Sequence, residues 1–112
     1  MIPNPVSIAQ SASQYKILET IFAATAVVQK CLGANPNRVA VIFSDASGNI
    51  NIATLAANVG SNKGTINLTA SVPVFTGTFD WLGPWVQGDF FCCRLSGSSS
   101  LGITEIIYSP SG

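Results

Sequence analysis

Apolar and polar residues alternate over much of the chain, and the clearest alternation lies near its middle. Residues 38–44 form a β-branched run with apolar side chains on both faces, so a strand here would be covered on both sides. Residues 45–49 supply turn chemistry, with Gly48 free to adopt a positive φ. Ile50 and Ile52 then resume an apolar face. Together these residues predict a β-hairpin.

Shorter alternations after this hairpin predict further strands. They cover residues 65–69, 72–79, 85–95 and 101–108. Between them, residues 56–64 predict an exposed loop, and residues 80–85 predict a turn that carries two indoles. The chain after the hairpin is therefore predicted to be β-structure and loops.

The segment of residues 14–32 fits two secondary structures. Ile17, Ile21 and Val28 lie at helical spacing, next to alanines that favour a helix. The same segment also fits two strands, at 15–22 and 26–32, joined by a bend of small residues. Strands are favoured, because the downstream chain is β and β-branched residues recur here. These residues are Ile17, Thr20, Ile21, Thr25, Val27 and Val28.

The whole pattern predicts an all-β fold of about seven to eight short strands, spaced about ten residues apart. That spacing is typical of a single antiparallel β-sandwich of the jelly-roll kind. At 112 residues the chain has the length of one domain. Residues 1–13 predict an extended N-terminal arm, either disordered or laid along a neighbouring subunit. The sandwich domain covers residues 14–108, and residues 109–112 form a C-terminal tail.

Charged residues are scarce. They make up 9% of the chain and give a net charge of zero, with a mean hydropathy of +0.42. Either uncharged polar residues keep the surface soluble, or part of the surface lies against other subunits; the second is favoured, because neutral domains tend to self-associate. The few Lys and Arg residues are scattered singly, which argues against nucleic acid as a partner.

The sequence also bears on membranes and on the redox compartment. The apolar stretch of residues 17–28 is too short to span a bilayer and contains Glu19, so no membrane partner is expected. The first 14 residues lack the basic start and apolar run of a secretory signal. Three cysteines are an odd number, so we expect free thiols in a reducing compartment.

Candidate catalytic and metal-binding chemistry is sparse. The chain has no histidine, which removes the Ser-His and Cys-His arrangements. Cys92 and Cys93 are adjacent in a predicted strand and should point to opposite faces, so we expect them, like Cys31, to be small buried residues. The acidic residues are well separated, and Asp45 fits an ordinary turn better than a calcium loop. We predict no catalytic residue, no metal site, no cofactor and no enzymatic activity.

Two tryptophans and one arginine have alternative roles. Trp81 and Trp85 could stack on sugar rings, or they could close one end of the sandwich or anchor a subunit contact. The structural alternatives are favoured over the sugar site. Arg38 is expected to pair with Asp89 or Glu105, or to take part in a contact between subunits.

Four short motifs follow one another along the chain. They are Asn-Pro-Asn-Arg with its apolar strand at 35–43, Ser-Gly-Asn at 47–49, Gly-Pro-Trp-Val-Gln-Gly at 83–88 before an aromatic strand, and Thr-Glu-Ile-Ile-Tyr at 104–108. This order resembles that of small β-sandwich structural proteins of tailed-bacteriophage virions. The resemblance covers residues 33–108 and leaves residues 14–32 outside it.

The resemblance implies a non-enzymatic virion structural protein. A capsid decoration or cement protein, packed on the capsid lattice through apolar surface and the N-terminal arm, is preferred over a tail- or fibre-associated module. A glycan-binding module that uses Trp81 and Trp85 is the alternative from another class. The expected partners are capsid or other virion proteins and further copies of the chain, with a trimer favoured, in a virion assembled in the host cytoplasm. The residues expected at the interface are Ile2, Pro3, Pro5, Val6, Ile8, Arg38, Trp81 and Trp85.

Overall fold

The computed structural model describes residues 14–45, 49–59, 65–95 and 99–109. The predicted N-terminal arm lies outside these residues, and so do Gly48 and most of the predicted tail. The interface predictions for Ile2, Pro3, Pro5, Val6 and Ile8 also fall outside the described residues.

Eight β-strands and three short helices are formed by the described residues. The strands are β1 Tyr15–Ala24, β2 Gln29–Leu32, β3 Arg38–Ser44, β4 Ile50–Ala53, β5 Thr65–Leu68, β6 Val74–Thr78, β7 Phe90–Arg94 and β8 Ser99–Tyr108. The helices are a 3₁₀-helix at Ala56–Asn58, the α-helix α1 at Phe79–Leu82 and a second 3₁₀-helix at Gly83–Gln87.

The strands form two antiparallel sheets of four strands each. The first sheet has the order β1-β8-β3-β6, and the second has the order β2-β7-β4-β5. This arrangement of eight strands in two facing sheets is the jelly roll. The predicted all-β antiparallel sandwich is therefore confirmed.

The core lies between the two sheets, where alternate residues of each strand meet. Val41 and Phe43 point inward from the first sheet, and Ile52 and Phe90 point inward from the second. The rings of Phe43 and Phe90 contact edge to face with centroids 5.1 Å apart, which joins the sheets at their centre. The buried cluster consists of Ala24, Val41, Phe43, Ile50, Ile52, Leu68, Val86, Phe90, Cys92, Leu101 and Ile103.

The predicted hairpin at the middle of the chain is wrong. β3 pairs with β6 and β8, whereas β4 pairs with β5 and β7, so residues 45–49 carry the chain from one sheet to the other. β3 and β4 lie in opposite sheets, and both strands present apolar residues to the core between the sheets. Asn49, at the end of this connection, has a positive φ of 137°.

The strand interpretation of residues 14–32 is confirmed, and the helical alternative is wrong. β1 pairs with β8 over ten consecutive residues, beginning with Tyr15 opposite Tyr108. The predicted strand at 85–95 begins only at Phe90, because Gly83 and Pro84 open a 3₁₀-helix, whose first turn tolerates a proline. The predicted turn at 80–85 is divided between α1 and this helix.

Candidate functional site

The outer face of the first sheet is defined by the alternation of β8. Leu101, Ile103 and Glu105 of this strand are buried on the inner face, so its even-numbered residues point outward. Residues directly opposite in an antiparallel pair share a face. The partners of the even-numbered residues are the odd-numbered residues of β1, which therefore also point outward.

Several large apolar residues of this face are exposed, on either side of a more polar row that contains Glu19, Thr104 and Thr76. Ile21 is 81% exposed and Ile17 is 64% exposed, although both lie within a regular strand. Glu19 is the only charged side chain on this face among the residues that the structure describes. We call its large apolar residues the outer apolar face; they are Tyr15, Ile17, Ile21, Ile42, Val74, Ile106 and Tyr108.

Two depressions open on this side of the molecule. One, of about 340 Å³, lies between Tyr15, Ile106 and the start of α1. The other, of about 410 Å³, lies beside Ile21, where Gly102 has no side chain. Both depressions are lined in part by residues of the outer face.

Gly102 is needed where β8 passes β3. A Cβ atom at this position would lie 2.7 Å from the Ser44 hydroxyl oxygen, closer than real Cβ contacts. We expect Gly102→Ala to lower the free energy of unfolding by about 1 kcal/mol, measured by urea denaturation. Adding Ser44→Ala should restore most of it. Gly33→Ala, at a glycine with no atom near its Cβ position, is the control; an equal loss there would contradict the steric reason.

Arg38 lies inside the domain, paired with Glu105. Its Nε donates to Glu105 Oε1 at 2.9 Å, and its Nη2 lies 2.8 Å from the same oxygen. Its Nη1 donates to the backbone oxygens of Val86 and Gly88, both at 3.1 Å, and its Nη2 also donates to the backbone oxygen of Gly33 at 2.5 Å. All five N–H groups of the guanidinium are thus used within the domain.

This burial corrects the interface role predicted for Arg38. The residue is 1% exposed, so its side chain has almost no surface to offer a partner. Of the two carboxylates predicted to pair with it, the partner is Glu105. Asp89 instead accepts from the Ala34 backbone N–H at 2.8 Å and lies 3.5 Å from the Lys30 ammonium.

The same region brings three of the four sequence motifs together. Arg38 from the first motif binds backbone oxygens of the third and the carboxylate of the fourth. The side-chain amide of Gln87, in the third motif, donates to the backbone carbonyl of Pro36 at 2.8 Å. The backbone carbonyl of Gln87 accepts from the Asn35 N–H at 2.9 Å. We call this set of hydrogen bonds the motif cluster. The motif residues in this cluster therefore make contacts within the domain that stabilise its fold.

The two tryptophans have different surroundings. Trp85 packs on the core, with its ring edge-on to Phe75 at 6.3 Å and to Phe90 at 5.1 Å between centroids. Trp81 lies on α1 and is 71% exposed. A sugar-stacking platform that needs both indoles on the surface is therefore not formed, and Trp81 is the one available for a contact.

The thiols of Cys92 and Cys93 are buried, as predicted, and Cys31 is half-buried. A hydrogen bond between the Cys31 and Cys92 thiols raises the pKa of Cys31 and lowers the pKa of Cys92. Burial raises the pKa of Cys93. Within the described ranges no group of three or more Cys, Asp or Glu side chains is placed to hold a metal ion. No helix in these ranges is long and apolar enough to cross a membrane.

Comparison with known proteins adds two distant structural likenesses. No family model and no curated protein matches the chain. A chain from the Bacillus endospore appendages, described as a novel family of disulfide-linked pili, is 13% identical over 85% of this chain and 87% of that chain, with a TM-score of 0.47. The dTDP-4-dehydrorhamnose 3,5-epimerase of Bacillus anthracis str. Ames is 14% identical over 87% of this chain and 54% of that chain, with a TM-score of 0.43. Likenesses this distant carry no argument about function.

Proposed function

We propose that this chain is a non-enzymatic structural subunit of a tailed-bacteriophage virion, and more narrowly a capsid decoration protein. The observation that carries the proposal is the outer apolar face. Monomeric soluble proteins rarely expose several large apolar side chains together on one face, and such patches mark interaction sites. A protein that covers this face by packing on a particle gains the free energy of burying it.

The energy available from this face is substantial. Fully burying one isoleucine side chain contributes about 1.5–3 kcal/mol. Ile17 and Ile21 have most of their surface still to bury, and their neighbours on β6 and β8 add to the patch. The zero net charge of the chain means that little long-range repulsion opposes its packing on a crowded lattice.

The assignment to a phage virion is supported by the sequence resemblance. The motif cluster shows that three of the four motifs belong to one hydrogen-bonded unit, so the resemblance concerns parts that fold together. The charged groups in that unit, Arg38 and Glu105, pair with each other, and Arg38 also donates to backbone oxygens. Their use is structural, which is compatible with a subunit that performs no chemistry.

The proposal is tested by locating the chain on virus particles. The fluorescently labelled full chain is incubated with separated heads and tails of a tailed phage whose genome encodes it, and binding is measured by co-sedimentation. Binding to heads supports a decoration protein. Binding to tails alone overturns the capsid location, and binding to neither overturns the virion role.

The outer apolar face should decide that binding. We expect Ile21→Glu to weaken binding to the particle about tenfold or more, because it removes an apolar contact and places a charge in the interface. Val27→Glu is the matched control, since Val27 is similarly exposed but lies in the connection between β1 and β2, off this face. Equal losses in both variants would contradict a specific role for the face.

A further inference from the structure

The free edge of β1 is the longest unpaired strand edge that the structure describes. β1 lies at one end of the first sheet and pairs with β8 on one side, through ten residues without a bulge. In an edge strand, alternate N–H and C=O groups point away from the sheet and can pair with another strand.

β1 is not shortened as the other edge strands are. The other three edge strands are short, with four residues in β2, four in β5 and five in β6. β1 has ten residues, no proline, no glycine, and only Lys16 and Glu19 as charged side chains. Natural proteins usually blunt a long edge with charge, proline or a bulge. A long unpaired edge of this kind is expected where the strand pairs with a strand of another subunit in the assembled particle.

The side chains of β1 support the same conclusion. Ile17 and Ile21 are exposed on the outer face. Leu18 belongs to the inner face, yet it is 46% exposed, whereas further along the strand Phe22 packs against the core and Ala24 is buried in it. Among the described residues, therefore, the first part of β1 has exposed side chains on both faces and no strand paired along its outer edge.

We infer that β1 of a second copy of this chain pairs antiparallel with β1, about a two-fold axis at Leu18, so that two first sheets become one sheet of eight strands. The inference deepens the proposed assembly function and rests on it. The outer apolar faces of the two copies then lie side by side and form one surface of twice the size.

A second copy satisfies this edge better than a charged partner. The chain has no net charge, so two copies approach without long-range repulsion. A two-fold axis perpendicular to the sheet keeps the outer faces on one side, which requires that outward residues pair with outward residues. Centring the axis on Leu18 sets Tyr15 opposite Ile21 of the second copy. Centring it on Glu19 would oppose two carboxylates, which is unfavourable.

The oligomeric state of the purified full chain tests the inference. Sedimentation equilibrium should give twice the 11.6 kDa chain mass, in place of the trimer expected from the sequence. Leu18→Glu places like charges against each other at the axis and should weaken dimerisation at least tenfold. Leu55→Glu is the matched control, because Leu55 is 60% exposed and lies outside β1. A monomeric or trimeric wild type, or a dimer that Leu18→Glu leaves intact, overturns the inference.

A cross-link decides the case in which Leu18→Glu does not fold. Leu18→Cys should form a disulfide-linked dimer, in which the two thiols pass their hydrogens and electrons to oxidised glutathione. The wild-type chain, with its native cysteines, is the control and should stay uncross-linked. Failure of Leu18→Cys to cross-link overturns the inference.

The inference and the proposed function fail in different experiments. A β1-paired dimer that binds neither heads nor tails would remove the virion role and leave the pairing in place. A chain that binds heads as a monomer would keep the virion role and remove the pairing.

Discussion

Replacing Glu105 with alanine is expected to lower the free energy of unfolding by about 3–5 kcal/mol, a large part of the stability of a domain of this size. The change leaves the Arg38 guanidinium inside the protein without its carboxylate, and both side chains are almost wholly buried. The remaining partners of Arg38 are backbone oxygens, which carry no compensating charge. Urea unfolding followed by circular dichroism measures the loss.

Two companion variants separate the buried charge from the loss of a side chain. Glu105→Gln keeps an oxygen that accepts from the guanidinium, so its loss should be clearly smaller than that of Glu105→Ala. Glu19→Ala removes an exposed glutamate of the same sheet and should change stability by less than about 0.5 kcal/mol. If all three variants lost the same stability, the buried pair would not be the reason.

Replacing Phe90 with alanine should cost about 3–5 kcal/mol of unfolding free energy, since a large aromatic side chain is removed from a packed interior. Phe90 is fully buried and contacts the rings of Phe43 and Trp85 edge-on, each at 5.1 Å between centroids. The Arg38 guanidinium also lies 6.0 Å from its ring centre. The substitution therefore opens a cavity where the two sheets and the motif cluster meet.

The neighbouring phenylalanine provides the control for this variant. Phe91 is half-buried and has the Lys30 ammonium 5.8 Å from its ring centre. Phe91→Ala should cost about 1 kcal/mol, because little of the core is lost. The fluorescence of Trp85 should shift with Phe90→Ala and not with Phe91→Ala. Equal losses of stability would show that Phe90 is not the centre of the core.

Local alternation was sufficient to predict most strands, but it could not predict their partners. Val41 and Phe43 in one strand and Ile50 and Ile52 in the next indicate that each has an apolar face. Nothing in that pattern distinguishes two strands that pair from two strands that face each other across a core. The choice depends on β6, β7 and β8, which lie far along the chain, and so the hairpin prediction failed.

The outer apolar face could not be predicted from spacing either. Ile17 and Ile21 are four residues apart, which fits a buried helical stripe as well as one face of a strand. Only the pairing of β1 with β8 shows that both residues point to solvent. Glu105 could not be chosen over Asp89 as the partner of Arg38 from the sequence either, because 67 residues separate Arg38 from Glu105. The pairing of β3 with β8 is what places the two side chains together.

The pairing of Tyr15 with Tyr108 places the start of the first strand beside the end of the last strand, and the two rings lie 5.5 Å apart at this corner of the domain. A domain with adjacent ends can be inserted into a loop of an unrelated host protein without stretching either polypeptide. It can equally be circularised by a brief linker and reopened at an exposed connection. The domain is therefore suited to insertion into other proteins, with the flanking sequence of the host protein joined at that corner.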